Sequence, residues 1–529
     1  MFLQFKRFKS TCFITTPIFY VNASPHIGHL YTALLADATH RFVKLVNPRI
    51  SSILTTGTDE HGLKIQNAAI KHKLETIDFC NKISDQYKLM FKTYDIEYTH
   101  YVRTTSEHHF RTVNTVWTKL KQRDSIYPNK YKGWYCVSEE SFLLEHQIRP
   151  DEKNEGQYVS IESNQPVEWV EEQNYMFKLS NYINDVAHWL DKNEDVVKPK
   201  KFYNQLRNMC SEIENDISVS RPKARVHWGI PVPDDDTQTI YVWLDALMNY
   251  LTVSGYPDFH TWPPHIQILG KDILKFHGIY WPAFLIAAGL EPPKSFLVHS
   301  HWTVDGVKMS KSVGNVVDPM SKLSDFTSCG LRYFLLREGT NHSDSNYSET
   351  KAKNILNAEL ANTLGNLLNR CLSKSINPDN VNPLVNRECY EVMFTKEPVL
   401  TELIENCQTL HEDVKLHYSE FNFYKGVDSI ILVLHLANKF IDTTKPWTLR
   451  KENKIEELNL VLGVTFEVLR ICGIGLQPIV PKLADKLLTR LGIPTNERLW
   501  DNMRFSDNDM FNDRHELNDE KIILYEKIK

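Results

Sequence analysis

The stretch from Thr15 to Ala36 runs Thr-Thr-Pro-Ile-Phe-Tyr, then Val21-Asn22-Ala23-Ser24, then Pro25-His26-Ile27-Gly28-His29-Leu30 and an apolar helical pattern. The aromatic and apolar run Phe13–Tyr20 predicts a buried strand. Ser24 fits an N-cap and Pro25 the first helical position. Strand, turn and helix in this order present a helix N-terminus at the carboxyl edge of an α/β sheet. His26 and His29 share one face of the opening turn, and Gly28 leaves the backbone open to a planar group. Two readings stand side by side: imidazoles and a helix dipole facing phosphates, or a helix start with two solvated histidines.

A second strand is expected over Ile50–Leu54, ending in the polar loop Thr55-Thr56-Gly57-Thr58-Asp59-Glu60-His61-Gly62. In a parallel sheet this loop lies beside the first, so Asp59 can meet an ammonium group, or the loop is a solvated turn. Helical pattern follows from Leu63 to about Tyr94, then a short strand near Tyr98–Arg103. His108-His109, after Glu107, reads as a helix start. Residues 127–222 break the strand–helix rhythm and look like a small β-rich insertion with two amphipathic helices. Lys198-Pro199-Lys200-Lys201 reads as a solvated turn, with contact to RNA phosphate as the alternative.

The α/β pattern resumes with Tyr241-Val242-Trp243-Leu244-Asp245-Ala246, near Tyr250, Tyr256 and Trp262, and a strand His265–Leu269 entering Gly270-Lys271-Asp272. These aromatics serve equally as core or as a pocket for a small apolar or thioether group. After the strand Phe296–His301 comes Val307-Lys308-Met309-Ser310-Lys311-Ser312-Val313-Gly314, two lysines and two serines able to close over a triphosphate. From Ala352 the pattern is helical. Leu356, Leu360, Leu364, Leu367 and Leu368 form an apolar stripe, with Asn362, Asn366 and Arg370 on the polar side. Pro446 ends a helix and leaves Trp447 at a bundle end, as a core tryptophan or a reachable ring.

The 529 residues allow two to four domains. A net charge of −5 excludes a uniformly basic nucleic-acid coat, so polyanions must be held by local patches. The nine cysteines include no Cys-x-x-Cys, which argues against a zinc knuckle or disulfide framework. No apolar run reads as long enough to cross a bilayer, and no membrane partner is expected. Residues 1–36 carry no acidic side chain, and Lys6, Arg7 and Lys9 alternate with Phe2, Leu3, Phe5 and Phe8. Residues 1–10 thus read as a short mitochondrial targeting segment, with a frayed basic terminus as the alternative.

Together the Pro-His-Ile-Gly-His and Lys-Met-Ser-Lys-Ser signatures resemble those of class I aminoacyl-tRNA synthetases. Thr16-Pro17-Ile18-Phe19-Tyr20, Thr58–Gly62, Tyr241–Ala246, Gly270-Lys271-Asp272 with Phe276-His277, and Gly365–Arg370 resemble the methionyl-tRNA synthetases, most like fungal mitochondrial forms. The resemblance implies an α/β, doubly wound, Rossmann-like catalytic domain followed by an all-α helical bundle. Its halves would be 11–126 and 223–300, with a connective insertion at 127–222, the lysine loop and stem-contact region at 301–350, and the anticodon-binding bundle at 351–529. It further implies ATP-dependent activation of L-methionine and transfer to tRNA(Met) in the mitochondrial matrix, with Mg²⁺ as co-substrate.

By the same resemblance His26, His29, Lys308 and Lys311 are catalytic, with Gly28, Gly270, Asp272, Met309 and Ser310 joining them around ATP. Ile18, Tyr20, Asp59, Trp243, Ala246, Tyr250 and His277 bind methionine, Asp59 through the amino group. Asn366, Arg370 and Trp447 read the CAU anticodon. Two departures stand out. Cys136-Val137-Ser138-Glu139 replaces the family's first Cys-x-x-Cys, so no zinc and no other bound metal are expected. Leu247-Met248-Asn249 replaces Pro-Ile-Gly beside the pocket. The absence of an appended C-terminal domain leads to the expectation of a monomer. The rival function is a non-catalytic RNA-binding paralogue, which would not need all four of His26, His29, Lys308 and Lys311.

Overall fold

A computed structural model describes residues 11–529 apart from 138–140, 144, 153, 155, 162, 310–313, 507–509, 512–514 and 521. The leader at 1–10, Ser310 and Lys311 lie outside the described residues. Strands β1 (Thr11–Thr15), β2 (Phe19–Tyr20), β3 (Ser51–Asp59) and β4 (His100–Arg103) form one half of a seven-stranded sheet. All of β1, β2 and β4 pair with β3 in parallel. Strands Ile266–Gly270, Phe296–His299 and Val197–Lys198 continue the sheet from β1, also in parallel. An all-parallel sheet is covered on both faces, and Cys12, Phe13 and Ile14 are accordingly fully buried.

The structure corrects three local expectations. The first strand breaks at Thr16–Ile18, where Pro17 supplies no N–H to a ladder. Helix α1 (Ile27–Val46) begins two residues later than Ser24 and Pro25 suggested, with His26 as its N-cap. The expected polar loop at Thr55–Asp59 is strand. Its β-branched threonines suit a pleated backbone, and the hydroxyls of two are held, Thr56 by Thr16 at 2.8 Å and Thr58 by Glu60 at 2.6 Å. Gly57 is there because β4 passes close by: a Cβ would lie 2.0 Å from the Val102 carbonyl oxygen.

The insertion is a six-stranded antiparallel sheet led by Ile126–Cys136 and Pro166–Phe177, then helices Leu179–Lys192 and Lys200–Ser211. The lysine run closing it is engaged rather than merely solvated: Lys198 pairs with Glu420 at 2.5 Å, and Lys201 donates to the His342 carbonyl. The chain then turns helical, through Pro398–Ser419, Phe423–Thr444, Ile455–Leu476 and Pro481–Arg490. Contrary to the sequence reading, Ile455–Leu476 is long and apolar enough to span a bilayer, but 89% of its apolar window is buried inside the molecule. It is the central helix of the bundle, which explains why it is apolar all round. One buried apolar cluster runs from β1 and α1 into these helices without a break.

Candidate active site

At the head of α1, His26 and His29 cap the helix reciprocally. His26 Nδ1 accepts from the Gly28 N–H at 3.0 Å, and His29 Nδ1 accepts from the His26 N–H at 3.2 Å. Tyr87 Oη lies 3.1 Å from the same His29 nitrogen, and the His26 and His29 rings stack with centroids 3.7 Å apart. This arrangement satisfies orphan donors of the first turn, a task Ser24 is placed too early to perform. Accepting at Nδ1 leaves each neutral ring with its proton on Nε2, so each offers an N–H donor. Burial, reinforced by the neighbouring His26, pushes the His29 pKa well below the ordinary imidazole value, against the pull of Asp272. His29 therefore acts at neutral pH as a donor, not as a cation.

The lysine segment meets this helix end. A Cβ on Gly28 would stand 2.8 Å from the pinned His26 ring and 3.8 Å from Met309 Cε. The Ile27 N–H donates to the Val317 carbonyl at 3.1 Å, so the residues following the loop return to the same place. Lys308, exposed on the short strand Val307–Lys308, acts on Asp272 from across the cleft. Desolvation would raise the Asp272 pKa, but the hydrogen bond from His301 at 3.1 Å, the His301 charge and Lys308 hold it below the ordinary carboxylate range. Gly270 makes room for that carboxylate, since a Cβ would sit 2.6 Å from Asp272 Oδ1.

A second group gathers around His277. Its Nδ1–H donates to the Ile273 carbonyl at 3.1 Å, so Nε2 accepts, and the Tyr250 hydroxyl donates to it at 2.8 Å. Trp243 stacks on Phe276 at 3.8 Å with its edge toward His277, and Ala246 is buried one turn along. Phe276–Tyr280 is a single π-helical turn, a local widening common at functional sites that no periodicity announces. Thr15, at the end of β1, hydrogen-bonds Tyr250 and so brings this group to the sheet edge before Ile18. Tyr20 and Asp59 stand opposite each other in the β2–β3 register.

The most consequential contact that the sequence reading missed joins these halves. Asp245, fully buried, accepts from His61 Nδ1 and His109 Nε2, both at 2.7 Å, and His109 Nδ1 meets Thr252 Oγ1 at 2.9 Å. His109 is thus more than the third residue of a helix; its partner lies 136 positions away. Against its own desolvation, the two imidazoles hold Asp245 below its ordinary pKa. A narrow pocket opens beside this triad, between His61, Tyr241, Trp228 and Arg221. Arg221 is 3% exposed, lies 4.3 Å from the centre of the Tyr241 ring, and forms no ion pair among the described residues. Its Nε has no hydrogen-bond partner among them either. Its Nη1 is satisfied by Ser218 Oγ at 2.9 Å and the Ser220 carbonyl at 2.7 Å, so Nε is the part of this buried guanidinium left to meet a further acceptor.

Far from the sheet, Arg370 lies 5.6 Å from the centre of the Trp447 ring and binds Asp442 at 2.5 Å, with Asn366 exposed one turn before it. Trp447 is 39% exposed and follows Pro446 at the first position of its helix, so the ring is reachable rather than core.

Burial also sets the acid stability. His40, His277 and His299 each have a pKa pushed down to about 4, chiefly by burial. In an unfolded chain they titrate near 6.5, so between about pH 6.5 and 4 the unfolded state binds more protons and stability falls as pH drops. Each contributes up to about 1.4 kcal/mol per pH unit there. Urea midpoints taken from pH 7 to 4.5 are expected to fall steadily; a flat series would contradict these assignments.

Comparison with known proteins places this geometry. The family model described as tRNA synthetases class I (M) matches residues 12–372. The human protein named methionine–tRNA ligase, mitochondrial, is 46% identical over 512 residues, covering 93% of this chain and 86% of its own length. The methionine–tRNA ligase of Rickettsia typhi is 37% identical over 501 residues, covering 94% and 96%. The Mycobacterium tuberculosis methionyl-tRNA synthetase, solved in complex with methionyl-adenylate, superposes with a TM-score of 0.89 at 34% identity, covering 97% of this chain and 99% of that one. The parallel sheet and the helical region beyond it are those of a class I tRNA synthetase of the methionyl type, and the chain belongs to that family.

Proposed function

We propose that this chain is a mitochondrial methionine–tRNA ligase that activates L-methionine with ATP and transfers it to tRNA(Met). The observation that carries the reading is the meeting of Gly28 and Met309, which puts the two signatures on one cleft. In the first step a methionine carboxylate oxygen attacks the α-phosphorus of ATP; the bond to the bridging oxygen breaks and pyrophosphate leaves. In the second, a ribose hydroxyl at the tRNA 3′ end attacks the adenylate carbonyl, and AMP leaves. No enzyme nucleophile is needed, so the protein's work is positioning and charge stabilisation.

His26 and His29 donate through Nε2 to phosphate oxygens, while Lys308 and Lys311 bring positive charge, with the backbone at Gly28, Gly270, Met309 and Ser310 admitting the nucleotide. Mg²⁺ comes as part of the ATP complex and supplies charge neutralisation. Asp272, open to solvent and kept ionised, suits such an ion. Among the described residues no group of three His, Cys, Asp or Glu side chains is placed to cage a metal by itself. Asp59 takes the methionine ammonium. Arg221, which has no acidic partner among the described residues, suits an anionic substrate group. Ile18, Tyr20, Trp243, Ala246, Tyr250 and His277 enclose the thioether, with sulfur against aromatic rings.

The domain limits follow the same reading: a catalytic unit at 11–126 and 223–300, an insertion at 127–222, a lysine-loop and stem-contact region at 301–350, and a bundle from 351 onward. The bundle reads the CAU anticodon through Asn366, Arg370 and Trp447. On this reading the enzyme acts as a monomer. The acid-free, basic first residues and the mitochondrial relatives support the matrix as its compartment.

ATP–pyrophosphate exchange with each amino acid in turn, without tRNA, tests the reading: methionine alone should drive it, and exchange driven by another amino acid or by none would refute it. Tyr250→Phe leaves His277 Nε2 buried without its donor, at about 1–3 kcal/mol. It should raise the methionine KM about tenfold and leave the ATP KM unchanged. Trp447→Ala should lower tRNA charging by about 5- to 100-fold, the worth of one stacked base, with adenylate formation intact. If both fall together, Trp447 is structural.

A further inference from the structure

Arg332, on the helix Leu323–Glu338, is 1% exposed and uses every donor of its guanidinium. Nε donates to the Ile479 carbonyl at 2.6 Å, and Nη1 to those of Tyr94 at 3.0 Å and Asp95 at 3.5 Å. Nη2 donates to Pro478 at 2.9 Å and to the Asp37 carboxylate. Asp37, fully buried on α1, also accepts from Arg41 Nε at 2.8 Å and from the Glu97 N–H at 2.7 Å. One side chain thus ties α1, the chain after Thr76–Thr93, its own helix and the turn after Ile455–Leu476.

The two long helices meeting at this joint have telling far ends. Helix α1 is 20 residues long, about 30 Å, with His26 and His29 at its start. Near its other end Phe42 packs edge-on against Tyr418 and Trp500 of the bundle. Ile455–Leu476 packs on both the helix of Asn366 and Arg370 and that of Trp447, and ends directly before Pro478 and Ile479. The Arg332 helix also follows the lysine loop, whose exit at Pro319 is held by the Tyr94 hydroxyl at 2.6 Å. Both nucleotide-binding signatures and the bundle are therefore referred to one buried guanidinium.

We propose that Arg332 is a positioning residue for tRNA charging, transmitting occupation of the Arg370–Trp447 end to the head of α1 through Asp37. The proposal rests on the reading of that end as the anticodon site. A lysine here supplies fewer donors and no planar fork, so it keeps the charge and loses the joint. Removing both charges at once avoids stranding one in the core, so Arg332→Met with Asp37→Leu preserves the fold where a single loss does not.

The test compares wild type, Arg332→Lys and the double variant in the full-length protein. ATP–pyrophosphate exchange is measured without tRNA. Charging is measured on a CAU-bearing tRNA(Met) and on the same tRNA with one anticodon base changed. Expected is exchange within about threefold of wild type, with the cognate advantage in kcat shrinking about tenfold or more and the ratio of KM values kept. An unchanged kcat advantage in both variants overturns the proposal. So does a parallel fall of exchange and charging, the mark of a merely structural residue. A wild-type enzyme that charges both tRNAs alike removes the anticodon reading and this proposal with it; discrimination that survives in the variants removes this proposal alone.

Discussion

His29→Ala should slow tRNA-independent ATP–pyrophosphate exchange by about a hundred- to a thousand-fold while changing the methionine KM little. The ring contributes in two ways, and their sizes differ. As half of a reciprocal cap it stabilises the helix start, at about 1 kcal/mol. As an Nε2 donor aimed at phosphates that gain charge in the transition state, it contributes about 3–4 kcal/mol to the activation step. The second effect dominates, so the variant should fold and bind methionine yet fail in chemistry. Because burial keeps His29 neutral, the exchange rate should show no inflection near pH 6.5 attributable to it. Exchange rates measured beside thermal unfolding separate the two roles; a variant that loses stability but keeps near-normal exchange would leave only the cap.

Asp245→Ala should cost about 3–5 kcal/mol of stability, a large part of what a folded domain has. The buried N–H groups of His61 and His109 lose their shared acceptor, and the turn that follows the strand of Asp59 loses its tie to the helix bearing Trp243 and Ala246. Asp245→Asn should be milder, because the amide keeps one acceptor oxygen and a neutral imidazole can move its proton to accept from the NH₂. In both, the methionine KM should rise more than the ATP KM. Urea midpoints and the two KM values decide this; alanine and asparagine variants of wild-type stability would show that the triad holds nothing.

What the chain reveals before folding is what local pattern can carry. The run Phe13–Tyr20 and the helix after it are visible in residue type and spacing, and so are Gly28, Asp59 and the aromatics from Trp243 to Tyr250. The shift of the N-cap from Ser24 to His26 is not, because capping by imidazoles overrides the usual hydroxyl preference. Strand character at Thr55–Asp59 is hidden by polar residues, two of whose hydroxyls find partners only in the fold, Thr56 in Thr16 and Thr58 in Glu60 and Ser84. Asp245 with His109, and Arg332 with Asp37, pair across 136 and 295 positions, and nothing periodic links such residues. Arg221 sits among ordinary strand residues, and only its burial without an acid among the described residues singles it out.

The most direct test is a crystal structure of the protein with methionine and a non-hydrolysable ATP analogue. The predicted result has the Nε2 atoms of His26 and His29 about 2.7–3.1 Å from phosphate oxygens, with Lys308 or Lys311 on the same triphosphate. A triphosphate seated elsewhere, or held by one signature while the other stays clear of it, would contradict it.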